Sequence, residues 1–199
     1  MGKDFSSALR PAIVMTVLFA ALLGIAYPLA MTGIGQAIFP SQANGSLVRD
    51  ARGTVIGSTV VGQAFTGERY FQTRPSAAGK GYDGLSSSGS NLGPASQALV
   101  DRVKPDVTKR REEGVSGPLP ADLVTASGSG LDPDLSPANA LAQAARIARV
   151  RGLSVEQVRN IIAKQTEASP LGEEHVNVLA LNQALDRLPR AAAPDTPTR

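Results

Sequence analysis

From Pro11 to Val48 the chain carries no Asp, Glu, Lys, Arg or His, and the first part of that run, Ala12 to Thr32, is almost wholly apolar. As a helix these twenty-one residues span roughly 30 Å, the thickness of a bilayer's hydrocarbon core. The stretch AIVMTVLFAALLGIAYPLAMT is longer than the apolar segment of about 7–15 residues expected in a cleaved secretory signal. It reads as an uncleaved anchor over residues 12–33. The alternative is a secreted chain cut near the small-x-small site Ser41, Gln42, Ala43.

Lys3 and Arg10 precede the span, and the next positive residue is Arg49. The positive-inside rule leaves residues 1–11 in the cytoplasm and about 165 residues outside it. The expected order is then a linker over 34–46, one extracytoplasmic domain over 47–189 and a disordered tail over 190–199. Setting aside Lys3, Arg10 and Asp4 leaves 18 basic and 16 acidic residues, a balance with no electrostatic footprint for nucleic acid. The chain has no cysteine, which removes disulfides and zinc-thiolate sites. Within the anchor, Thr16, Ala20 and Gly24 recur every four residues on one helix face, with Ala12 and Pro28 extending the row. Small side chains there admit another membrane helix. Pro28 is expected to kink or end the helix, and Gly33 and Gly35 to loosen its exit.

Beyond the membrane, Leu47 to Phe71 reads as strand and turn where a small sheet starts: TVIGSTVVGQAF, just after Gly53, carries β-branched residues broken by Gly57 and Gly62, and RYFQT follows. A long Gly/Ser loop follows, Arg74 to Pro94, with Tyr82 and Leu85 as its apolar tacks. A structureless loop of this length in a compact domain is usually either functional or disordered, and Tyr82 and Leu85 favour an ordered binding surface. Pro94 opens a helix with Leu99, Val103 and Val107 on one stripe and Pro105 interrupting it. A second Ser/Gly segment, Ala121 to Pro137, ends in the Ser136, Pro137 start signal of the helix ANALAQAARIARVR, which Gly152 stops. Ser154 and Gln157 form a capping box for another helix. HVNVLALN reads as a strand, and Gln183 to Leu188 as a short helix. The pattern is α+β, with a small sheet and several helices behind one membrane span.

Templates for catalysis fail. A phosphate-cradling loop ending at Gly79, Lys80 needs glycine at 74 and a hydroxyl at 81, where the chain has Arg74 and Gly81. ASGSG lacks the first glycine of a nucleophile elbow. The lone His175 is the sole histidine base for an extracytoplasmic enzyme. Asp132 and Asp134 are too few for a cation site. No catalytic residue and no metal ligand is assigned.

The blocks RPSAAGKGYDGLSSSGSNLGP, DLVTASGSGLDPDLSP, ARIARVRGLSVEQV and VNVLALNQALD, in that order behind one N-terminal span, resemble the C subunit of the bacterial Kdp potassium-transporting P-type ATPase. Two departures are Thr73, where that family commonly has glycine, and Asp134, where it commonly has histidine. The resemblance implies a non-catalytic subunit of an inner-membrane potassium pump. Its partners would be a channel-like potassium-binding subunit, a P-type ATPase subunit and a small single-span peptide, with lipid around the anchor. It also implies a catalytic chaperone that raises the ATPase subunit's affinity for ATP, through a glutamine that here is Gln143; no cofactor is expected to be bound firmly. Charge flanks put Gln143 on the side away from cytoplasmic ATP, so topology and direct nucleotide contact cannot both hold, and topology is preferred. The expected contact surface is Arg74, Ser76, Tyr82, Asp83, Ser90 and Asn91 in the first loop and Asp122, Thr125, Ser127 and Ser129 in the second. Against it stands a packing role in which the two loops complete a small core. A stand-alone membrane-tethered binding protein remains the alternative function.

Overall fold

The computed structural model describes residues 2–169 and 172–188, with side chains from Ser7 onward; the tail expected at 190–199 lies outside them. The chain divides into two compact units, one ending at Leu47 and the other beginning at Val48.

The first unit is helical. α1 (Gly2–Ala21) passes through a π turn (Leu22–Ala26) into α2 (Tyr27–Ile38), and a further turn, α3 (Pro40–Ala43), follows. Ser7–Ile38 is 32 residues long and apolar enough to cross a membrane. Of the two outcomes expected at Pro28, a kink or an end, the chain does not end: the regular α-helix is interrupted just before Pro28 and then resumes. A proline ring collides with the carbonyl four residues back, and the chain widens the preceding turn instead: the Tyr27 N–H donates to the Leu22 carbonyl, five residues away. Gly33 and Gly35 stay within α2, and most of the expected linker is helical.

β1 (Leu47–Arg49) pairs with β2 (Val55–Ser58). Asp50 shapes the turn between them, its Oδ1 accepting from the N–H groups of Arg52 and Thr54 at 2.9 Å each. The strand expected at RYFQT is absent, although its backbone is paired. The Phe71 N–H donates to Asn182 Oδ1 at 2.8 Å and its carbonyl accepts from Asn182 Nδ2 at 3.0 Å. Gln72 makes the same two bonds to the amide of Gln143, at 2.8 and 3.0 Å. Side-chain amides stand where a neighbouring strand would be, which satisfies buried peptide groups without a ladder.

α4 (Gln97–Glu112) starts at the Ser96 cap, three residues later than expected, and runs through Pro105. That proline removes one helical bond, to the Asp101 carbonyl, between two exposed residues. A 3-10 turn (Ala121–Leu123) leads to β3 (Asp134–Leu135) and then α5 (Pro137–Arg151). α5 begins and ends as its sequence predicts: Ser136 accepts from the Asn139 N–H, and Gly152 closes the helix at φ 67°. α6 (Val155–Gln165) carries both halves of its capping box. β4 (Thr166–Glu167) and β5 (His175–Asn177) follow, with β5 between β3 and β4, antiparallel to both, and Leu135 and Thr166 opposite Val176.

HVNVLALN is a strand only to Asn177, which caps α7 (Val178–Asp186) by accepting from the Ala180 N–H. Val178, Leu181 and Leu185 then repeat at helical spacing, so α7 starts five residues before the expected helix. Phe71, Leu135, Ala144, Ile147, Val158, Ile162, Val176, Leu181 and Leu185 form the core between α5, α6, α7 and the three-stranded sheet.

Candidate functional site

The two Gly/Ser loops meet, and each supplies the other's missing hydrogen bonds. Ser76 is the pivot: its hydroxyl donates to the Gly130 carbonyl at 2.6 Å and accepts from the N–H groups of Ala78 and Tyr82 at 3.2 and 2.8 Å. The Ser129 carbonyl accepts from the Ser88 N–H at 3.0 Å and the Ser87 hydroxyl at 2.9 Å. Arg74 forms an ion pair with Asp132 at 2.9 Å. The Tyr82 hydroxyl donates to the Arg74 carbonyl at 2.6 Å, and burial pushes its pKa up, keeping it a neutral donor.

Glycine permits this closeness. A Cβ at Gly130 would lie 2.6 Å from the Ser88 carbonyl oxygen and 2.7 Å from the Ala78 nitrogen, at a φ of +66°. The Gly/Ser composition therefore has a packing cause as well as any binding one.

The expected surface residues divide. Arg74 and Ser76 bond to the second loop, Tyr82 bonds back to Arg74 and Ser76 within the first, and Ser127 is buried. Asp122 holds the Ser136 cap of α5 in place, accepting from the Ser136 N–H and hydroxyl at 2.8 and 3.0 Å. Thr125 returns its hydroxyl to the Ala121 carbonyl. Asp83, Asn91 and Ser129 are exposed, and Ser90 is half-buried. Leu85 is no tack: it is 99% exposed.

Beside Arg74 opens a cavity of about 570 Å³ walled by Asp122, Asp132, Asp134, Glu173, Glu174 and His175. Burial raises the Asp134 pKa, against a hydrogen bond from Asn177 that lowers it. Among the described residues no group of three or more His, Cys, Asp or Glu is placed to hold a metal ion.

Gln143 lies elsewhere, 2% exposed on the core face of α5. Its Oε1 accepts from the Gln72 N–H and from Arg146 Nη2 (2.7 Å), while its Nε2 donates to the Gln72 carbonyl and to Asn139 Oδ1 (2.9 Å). All four of its hydrogen-bonding positions are occupied within the protein. Arg146 extends the network to the Glu68 and Tyr70 carbonyls, and Arg110 ties Gln72 Oε1 (2.7 Å) to Glu113 (2.9 Å). Burial lowers the Arg146 pKa, and nearby Glu113 counters it. Sequence reasoning missed Gln72, Arg110 and Asn182; the signal for Asn182 was a polar residue on the same face as Val178, Leu181 and Leu185.

Comparison with known proteins is consistent across the chain. The family described as KdpC: K+-transporting ATPase, c chain, matches residues 9–187. A protein of Caulobacter sp. (strain K31) named Potassium-transporting ATPase KdpC subunit is 55% identical over 183 residues, covering 90% of this chain and 93% of its own. Proteins of the same name from Myxococcus xanthus (51% over 201 residues, 96% and 93%) and Rhodospirillum rubrum (53% over 189 residues, 92% and 97%) are similar to it throughout.

Proposed function

The chain belongs to the KdpC family of subunits of the K+-transporting ATPase, and from that premise we propose that it is a non-catalytic subunit that holds the pump together. The helix Ser7–Ile38 anchors it in the inner membrane with its N-terminus cytoplasmic, as the positions of Lys3 and Arg10 support. The folded domain is extracytoplasmic and its loop platform docks on the channel-like subunit. One observation carries this reading: the two loops lock each other through Ser76, Ser88, Ser129 and Gly130, so the outward residues Asp83, Asn91 and Ser129 sit on a surface already ordered before contact. Preorganisation of that kind lowers the entropic cost of binding.

The rise in the ATPase subunit's affinity for ATP is exerted through assembly, because every hydrogen-bonding group of Gln143 is engaged inside the domain. A tag on this chain is expected to bring down the channel-like and ATPase subunits together. Deleting residues up to Thr32 is expected to yield a domain that no longer retains them. Purification of the full chain as a lone monomer would instead establish a stand-alone tethered binding protein.

A further inference from the structure

Mid-span, two backbone carbonyls of the anchor lose the donors that a regular α-helix would give them. In a regular α-helix the Leu23 carbonyl accepts the N–H of residue 27 and the Gly24 carbonyl that of residue 28. Here the Tyr27 N–H donates to Leu22 and Pro28 has no N–H. Both carbonyls thus lose their regular partners inside the apolar stretch Ser7–Ile38. An unsatisfied peptide group costs several kcal/mol in hydrocarbon. The spot is also uncovered: a Cβ at Gly24 would meet nothing within 4 Å, and Thr16, Ala20, Gly24 and Pro28 form one row of positions four apart.

We propose that the Leu23–Gly24 carbonyl pair is a hydrogen-bond acceptor site for a neighbouring transmembrane helix that presents a hydroxyl or carboxamide side chain at mid-membrane. A small-residue row alone accepts any close-packing helix. The freed carbonyls select one that carries a donor, because an all-apolar partner would seal them from every donor. The site deepens the assembly reading and rests on it. Thr16, two turns earlier, lets the same partner approach along the row.

Pro28→Ala separates this site from mere packing, since it restores an N–H to the helix and leaves the small row intact. In the assembled complex purified from membranes, Pro28→Ala is expected to lower recovery of the membrane partner about three- to tenfold. Gly24→Leu, which blocks approach, is expected to do the same, and Leu18→Ala, two residues from Ala20 and so off the row, to change nothing. A ¹³C-labelled carbonyl at Gly24, introduced in a synthetic span ligated to the rest of the chain, is expected to absorb at lower infrared frequency in the complex than in the chain alone in the same lipid. An assembled complex with an unshifted Gly24 band, or undiminished recovery with Pro28→Ala, overturns the site. Failure of the unmodified chain to bring down any subunit would instead count against the assembly reading.

Discussion

Gln143 shows how little a residue's type says about its role until its neighbours are known. A glutamine on an amphipathic helix reads as a polar surface position or a ligand contact. Folding places it on the buried face with Ala140, Ala144 and Ile147, clamped to the Gln72 peptide. Its spacing of three residues from Ala140 and four from Ile147 was visible in the sequence, whereas its pairing with a segment 71 residues away was not. Gln143→Ala leaves two backbone groups and Arg146 short of partners. It is expected to destabilise the domain by about 1–3 kcal/mol, read as a lower unfolding midpoint of the detergent-solubilised chain. Asp134 responds to pH. Its folded pKa is raised, so its contribution to stability is present when protonated and is lost as pH rises through that pKa. Asp134→Asn keeps an oxygen for Asn177, and is expected to leave stability unchanged in acid and raise it at neutral pH. A drop at neutral pH would show that the carboxylate's hydrogen bond from Asn177 outweighs its burial.

At the scale of elements, the caps of α5 and α6 were legible to the residue, whereas of the stretches expected as strands TVIGSTVVGQAF forms only Val55–Ser58 and HVNVLALN only His175–Asn177. Ser136, Gly152, Ser154 and Gln157 act within four residues of themselves and marked α5 and α6 from the sequence. RYFQT has strand composition, but its backbone partners are Asn182 and Gln143 from distant helices, which no local pattern encodes. The two loops were found as segments, yet their mutual hydrogen bonds appear only when both are placed together. Gly130 is where they touch most closely. Gly130→Ala meets strain at φ +66° and a collision with Ser88, and is expected to cost about 1–3 kcal/mol. Faster amide exchange at Ser88 and Tyr82 would register the loops parting, and unchanged exchange would show that the first loop holds itself.

For the whole molecule, one apolar helix decides which ligands the domain ever meets. Its membrane-crossing length is clear in both sequence and structure, while the orientation proposed for it rests on flanking charge alone. The assignment of the domain to the outer face, the contact with the channel-like subunit and the indirect effect on ATP affinity all depend on that orientation. Protease digestion of sealed vesicles tests it most directly. The account predicts that the domain from Val48 onward is cut in right-side-out vesicles and protected in inverted ones. Cleavage confined to inverted vesicles would contradict it.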